Sequence, residues 1–417
     1  MYFLYKYLTP VIFILLSPVI ILALILKPKF RAGFIKKLGF YKYKSDGKSL
    51  TVFHAVSVGE TNAVADAVKA YRAKYPDRRI VVTNTTKTGH EIALKTLSQV
   101  ADDITYFPFD FSFAVNSFFN AYKPDRVVIV ETEIWPCFVK EANKRGINVF
   151  IANGRISPHS YTGYKRFSFV FKQILPLYRK ILMQTKADAQ RIKDIGAPDN
   201  IVEFMGNLKF DITVNLSAEE QNSLKERFKA DGKEILIAAS THSGEDEIVL
   251  NVFRKLKEKF SDLKLLIAPR HPQRFEKVWE LIKAEKYSCG KVSENKTFDE
   301  DDILLGDTMG ELAKFFSFCK IAFIGGSFYG PGGHNPLEAN IWNKPVVSGY
   351  NVSNFRDIYR ILTEKSAAVV AEDETEFYET VNGWLSDNIR YEAACVSAGQ
   401  VFEENRGAVQ YLITRLS

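Results

Sequence analysis

Phe323-Ile-Gly-Gly-Ser-Phe-Tyr-Gly-Pro-Gly-Gly-His-Asn-Pro-Leu-Glu338 decides how this chain is read. The apolar run Ile321 to Ile324 has the composition of a buried strand. It empties into the turn Gly325-Gly326-Ser327, and a second turn follows at Gly330-Pro331-Gly332-Gly333. Asn335-Pro336-Leu337-Glu338 then reads as a helix start with proline at its first position. Strand, glycine loop and helix N-terminus in that order belong to an α/β domain. Free backbone N–H groups and the helix dipole there suit an anion such as a phosphate. The same pattern also describes an ordinary β–turn–α connection, so the stretch alone leaves both readings open.

Working outward, the same alternation covers the chain. Downstream, Pro345–Ser348 and Ala367–Ala371 read as short strands, and residues 373–417 as mostly helical. Upstream in the same half, Glu234–Ser240, Lys264–Arg270 and the stretch from Asp302 read as strands ending in polar loops. The first half repeats the pattern at Leu50–Val56, Arg79–Asn84, Ile104–Pro108, Arg126–Glu131, Val149–Arg155, Ile181–Gln184 and Ile201–Met205. Repeated strand–helix units predict two α/β domains, each a parallel sheet covered on both faces. Gly206-Asn-Leu-Lys-Phe-Asp-Ile212 reads as the connection between them. The expected divisions are residues 1–27, 28–212 and 213–417, with the final helices of the last expected to pack back on the N-terminal domain.

The 417 residues carry a net charge of +7, with 46% hydrophobic and 25% charged residues, as in an ordinary globular protein. Cys137, Cys289, Cys319 and Cys395 form no C-x-x-C pair, which points to reduced thiols rather than a disulfide framework. The six histidines lack metal-ligand spacing, so no metal site is expected. The N-terminus departs from globularity: Leu8 to Leu26 contains no charge and is long enough to cross or enter a bilayer. Lys27, Lys29, Arg31, Lys36 and Lys37 follow it, which orients the bulk of the chain to the cytoplasmic side. Pro10 and Pro18 leave open a segment embedded in one leaflet.

The polar residues at strand ends divide by half. The first half offers Glu60, Glu131 and Arg155; the second offers Arg270, Met309-Gly310-Glu311, Ser327, Asn335 and Glu338. Open α/β sheets bind ligands at these carboxyl ends. A carboxylate-bearing half and a glycine- and arginine-bearing half together suggest group transfer from a nucleotide carrier. Glu60 and Glu338 are each also explained as helix-dipole partners.

The chain resembles the bacterial 3-deoxy-D-manno-octulosonic acid (Kdo) transferases. The resemblance rests on His54-Ala-Val-Ser-Val-Gly-Glu60, Glu131-Thr-Glu-Ile-Trp-Pro136, Asn153-Gly-Arg-Ile-Ser157, Gly206-Asn-Leu-Lys-Phe-Asp211, Ala268-Pro-Arg-His-Pro272, Gly306-Asp-Thr-Met-Gly-Glu-Leu312, and Gly325-Gly-Ser327 with Gly333-His-Asn-Pro-Leu-Glu338, in order along the chain. Gly154 stands where the family often has alanine. The resemblance implies a GT-B fold, two Rossmann-like domains facing a cleft, behind an N-terminal anchor helix. It implies an inverting transfer of Kdo from CMP-Kdo to the lipid A precursor (lipid IVA) at the cytoplasmic face of the inner membrane, in lipopolysaccharide synthesis. It assigns Glu60 as general base and Glu131 and Lys209 as further catalytic groups. Pro269, Arg270, Met309, Gly310, Glu311, Asn335, Pro336, Leu337 and Glu338 become the CMP-binding segments of the C-terminal domain, and the N-terminal domain takes the acceptor. Arg155 is a weaker expectation for lipid phosphates, and Ser327 for the donor loop. No cofactor and no nucleic acid are implied; membrane lipids are. The alternative is another GT-B transferase using a nucleotide sugar and a membrane lipid.

Overall fold

The computed structural model describes residues 2–27, 31–212, 214 and 216–417. Met1 of the expected anchor, Lys29 of the basic stretch and Thr213 at the expected boundary lie outside the described residues. Two units each hold one seven-stranded sheet, and every strand pair in both sheets is parallel. Residues 1–211 and 406–417 make the first unit, and residues 212–405 the second.

The first sheet contains β1 (Leu50–His54), β2 (Arg79–Asn84), β3 (Asp103–Tyr106), β4 (Arg126–Val130), β5 (Asn148–Gly154), β6 (Lys180–Met183) and β7 (Val202–Phe204), in the order β3-β2-β1-β4-β5-β6-β7. Alternate residues along a strand face opposite sides. Val52, Val127, Ile129 and Ile151 therefore join one core, while Phe53, Val128, Val130 and Phe150 join the other. Burial on both faces explains why these strands read as unbroken apolar runs.

The second sheet contains β8 (Glu234–Thr241), β9 (Leu263–Pro269), β10 (Cys289–Lys291), β11 (Ile303–Leu305), β12 (Ile321–Ile324), β13 (Val346–Gly349) and β14 (Ala368–Ala371), in the order β10-β11-β9-β8-β12-β13-β14. The short β10, with Gly290 at its centre, has no apolar run and escaped the pattern reading. In each sheet the chain leaves in opposite directions from one neighbouring pair, β1/β4 and β8/β12. Such a switch point opens a crevice at the carboxyl ends, where ligands bind.

The expected connection at 206–212 belongs to the first unit as far as Asp211, and Ile212 begins the second. Leu208 and Phe210 are buried there, on a single 3-10 turn. The last helix, Ala408–Arg415, also packs on the first unit, placing Leu412 and Ile413 in its core.

At the N-terminus, helices Tyr2–Leu15 and Ser17–Leu26 are bent by 57°. No single helix among the described residues is long and apolar enough to cross a membrane; the bent pair together has the length and composition. Pro18 sits in the first turn of the second helix, where proline lacks no needed N–H. Arg31 donates to the carbonyls of Leu24 and Ile25 and so caps that helix's C-terminus.

Candidate functional site

Each unit carries its own group of polar residues at its switch point. In the first unit, Glu60 lies in the opening turn of helix Val58–Lys74, directly after β1. One carboxylate oxygen accepts from the Val56 N–H at 2.6 Å and the other from the Ser57 hydroxyl at 2.9 Å. Burial pushes the Glu60 pKa up, the Val56 bond opposes this, and the charge of Glu131 adds to the rise.

Glu131 follows β4 with φ of 63°. A non-glycine residue in the left-handed region costs free energy, and such positions cluster where a side chain must be aimed. Arg155, at the end of β5, brings its Nε to 3.6 Å from the Glu131 carboxylate. The Thr132 hydroxyl donates to the Arg155 carbonyl and accepts the Arg155 N–H, tying the two loops together. Arg155 is thus paired with Glu131, beyond the lipid-phosphate role expected for it.

Lys209 rides on the turn Leu208–Phe210. The Asn153 side chain accepts the Leu208 N–H at 3.0 Å, and the Asn207 side chain accepts the Lys209 N–H at 3.0 Å. Asn153, itself at φ of 56°, therefore links the end of β5 to the placement of Lys209. Burial lowers the Lys209 pKa, while Glu131 and Glu60 oppose that and favour its charge. The first unit thus brings Glu60, Glu131, Lys209 and Arg155 into one electrostatic group.

Glu133 was not among the expected site residues, although its motif was. Burial, then the charges of Glu60 and Glu131, push its pKa up to about 7. Its signal in the sequence was a second carboxylate two residues after Glu131. Only the fold adds Glu60 to the pair.

In the second unit the glycine loop departs from expectation. The N–H groups of Gly326, Ser327 and Phe328 do not await a phosphate. They donate to the carboxylate of Glu245 at 2.7, 2.7 and 2.8 Å, and the His242 N–H joins them at 2.8 Å. Glu245 is fully buried at the start of helix Glu245–Lys257. A Cβ on Gly325 would lie 2.9 Å from the Glu245 carboxylate, so glycine there admits an internal anion. Ser327 is likewise structural: its hydroxyl donates to the Ile324 carbonyl and accepts the Gly349 N–H. The helix start is corrected too. The helix spans only Leu337–Asn340, Pro336 precedes it as its cap, and the Asn335 side chain accepts the Leu337 N–H.

Of the other expected donor residues, Arg270 and Glu338 lie within electrostatic reach of each other. Pro269 ends β9 and pairs with Thr241, whose carbonyl accepts the Arg270 N–H. Burial raises the Glu338 pKa, and the charge of Arg270 opposes the rise. The Glu338 carboxylate makes no hydrogen bond among the described residues, which leaves it available to hydroxyl donors. His242 and His334 stack, with their Nε2 atoms 3.0 Å apart, and His271 meets His242 edge-on. Burial first, then Arg270 and the neighbouring imidazoles, lowers the His334 pKa to about 4. These histidines were not expected at the site. Leu337 is buried, and Met309 is exposed beside Gly310. Glu311 is paired with Arg227 at 3.2 Å.

Residues 32–212 match the sequence family described as 3-deoxy-D-manno-octulosonic-acid transferase (kdotransferase). A 3-deoxy-D-manno-octulosonic acid transferase of Haemophilus influenzae is 34% identical over 93% of this chain and 92% of its own length. This chain belongs to the Kdo transferase family. The Rickettsia felis transferase is 31% identical over 82% of this chain and 73% of its own. A UDP-N-acetylglucosamine 2-epimerase from Neisseria meningitidis bound to UDP-GlcNAc superposes with a TM-score of 0.53 at 15% identity, covering 88% of this chain and 99% of that one. That likeness extends to the fold alone: two parallel-sheet α/β domains of the GT-B kind. Glu131 and Glu133 follow β4 in the first unit, and His334 and Glu338 follow β12 in the second.

Proposed function

We propose that this Kdo transferase family member moves Kdo from CMP-Kdo to a hydroxyl of a lipid A precursor (lipid IVA), with inversion, at the cytoplasmic face of the inner membrane. The observation that carries the chemistry is the group Glu60, Glu131, Glu133 and Lys209 at the β1/β4 switch point of a chain similar to a named Kdo transferase over 93% of its length. A sugar hydroxyl becomes a nucleophile when its proton is taken, and a carboxylate with a raised pKa is suited to take it. Glu60 accepts that proton. The hydroxyl oxygen bonds to the anomeric carbon of Kdo as the bond from that carbon to the CMP phosphate oxygen breaks, and the electron pair leaves with CMP. Glu131 stabilises positive charge at the anomeric carbon, as carboxylates do in glycoside hydrolysis. Lys209 stabilises the charge growing on the leaving group.

The donor role falls to the second unit. Arg270 suits the CMP phosphate, to which its fork donates two hydrogen bonds. Glu338, half-buried and without a hydrogen bond among the described residues, accepts from the ribose hydroxyls. The apolar N-terminal helix pair holds the enzyme at the membrane surface.

Glu60→Gln keeps the shape of the side chain and removes the base. Transfer falls by about 10²–10⁴-fold, while CMP still raises the melting temperature as ligand linkage requires. Near-normal transfer by this variant contradicts the base assignment, and stabilisation by UDP in place of CMP contradicts the donor.

A further inference from the structure

We propose that a cavity in the first unit, distinct from the polar group above, receives a fatty acyl chain of the acceptor. It rests on the lipid-acceptor reading. The cavity is an open groove of about 880 Å³. Its walls are Tyr5 from the first N-terminal helix, Ile134 and Pro136 from the segment after β4, Tyr164 from helix Pro158–Arg166, Val170 from helix Ser168–Phe171, and Phe167 between those two helices.

Three observations point to an aliphatic occupant tied to a sugar. First, the walls are built. Buried Asp110 accepts the Tyr5 hydroxyl at 2.9 Å and the N–H groups of Cys137 and Phe138 at 3.0 and 2.7 Å. One carboxylate thus fixes both the N-terminal helix and the helix that Pro136 begins. Phe13 packs its ring against Phe109 and Phe111, which flank that carboxylate. The cavity is therefore continuous with the element whose apolar residues face outward.

Second, the cavity adjoins the reacting end. Ile134 and Pro136 come one and three residues after Glu133, and the Glu133 charge is felt by Tyr164, whose hydroxyl is pushed up first by burial and then by that carboxylate. An acceptor with its hydroxyl at the carboxylates has its tail beside this cavity. Third, Lys165 and Arg166 stand between wall residues Tyr164 and Phe167. Phe167 remains 54% exposed in the free protein, an apolar surface awaiting cover. Cations beside an apolar wall complement a phosphorylated, acylated sugar.

Gly163 lines the cavity, and a Cβ built there meets nothing within 4 Å. Gly163→Phe therefore fills space without a backbone clash, at a helical position where phenylalanine is better tolerated than glycine. Val170→Asp places a charge on another lining residue. Each variant is assayed with CMP-Kdo and two acceptors, lipid IVA and its fully deacylated glucosamine disaccharide bisphosphate. The ratio of kcat/KM between the acylated and deacylated acceptors falls by about tenfold or more, the worth of roughly two buried methylenes. An unchanged ratio in both variants overturns the proposal.

A second readout needs no turnover. The disaccharide bisphosphate bearing one long acyl chain tipped with a diazirine is photolysed with the full-length protein in detergent. Labels concentrate on residues 158–171. Labels confined to residues 2–26 overturn the proposal, as does equal labelling of 158–171 by a phosphatidylethanolamine carrying the same diazirine chain. Labelling at 158–171 by a protein that makes no product with either acceptor keeps the cavity and rejects the transferase reading. Product formation with labels elsewhere does the reverse.

Discussion

Glu133 has three influences against its ionisation: apolar burial, Glu60 and Glu131. Clustered carboxylates share protons, so this group titrates as a unit. In an unfolded chain Glu133 titrates near 4.5, and in the fold near 7. The folded state then binds the proton more tightly, so stability is lost as pH rises from 4.5 through 7, and the cost is complete above that. Glu133→Gln removes the cost. The variant gains on the order of 1–3 kcal/mol at pH 8 and little at pH 4, read by denaturant unfolding at the two pH values.

The residue scale was only partly legible. Glu60, Glu131 and Lys209 stand out in the sequence because each ends an apolar run or sits in a specific motif. Glu133 was masked by its own motif, since spacing along the chain cannot reveal that β1 and β4 are neighbours. His242 and His334 lie 92 positions apart and meet only once β8 and β12 pair.

At the scale of elements, the glycine loop after β12 reads as a strand-to-turn junction with an anion site left open beside it, and the structure fills the N–H groups of residues 326–328 from within. A sequence shows that a loop can bind an anion; it does not show that a carboxylate 81 to 83 residues upstream has taken the place. Glu245→Ala leaves three buried N–H groups without an acceptor. Losing such a charged partner costs about 3–5 kcal/mol, visible as a lowered unfolding midpoint and weaker CMP stabilisation. A midpoint within experimental scatter of wild type means that the loop finds other acceptors. The N-terminal helices show a related limit. Nineteen uncharged residues gave the length, but the 57° bend falls where two helices meet at Leu16, which hydropathy does not register.

At the scale of the molecule, strand–helix alternation sufficed for two parallel-sheet units, because doubly covered strands write themselves as apolar runs. The return of the C-terminal helix to the first unit depends on side chains far apart in sequence. Asp211 accepts the N–H groups of Gly407 and Val409. Glu203 accepts from Lys180, Tyr411 and Arg415 at 2.6, 2.6 and 2.5 Å. Burial raises the Glu203 pKa, but these three donors prevail and hold it down to about 2. A depressed carboxylate stabilises the fold above its unfolded value of 4.5, and that stability is lost as pH falls through about 2. Glu203→Gln therefore costs about 1–2 kcal/mol at pH 7, after allowance for solvent screening. Its unfolding curve approaches that of wild type as pH drops below 4.5. A constant difference across that range means the cost is steric and not ionic.

The transfer reaction itself is tested most directly by product mass. Full-length protein in detergent is incubated with CMP-Kdo and lipid IVA, in parallel with Glu60→Gln, and the lipid fraction is weighed by mass spectrometry. Wild type converts lipid IVA to species heavier by whole Kdo residues and releases CMP in equal amount, and the variant leaves the lipid unchanged on the same timescale. Unmodified lipid IVA with a folded, CMP-binding wild-type protein, or equal product from the variant, contradicts the assignment of Kdo transfer to this site.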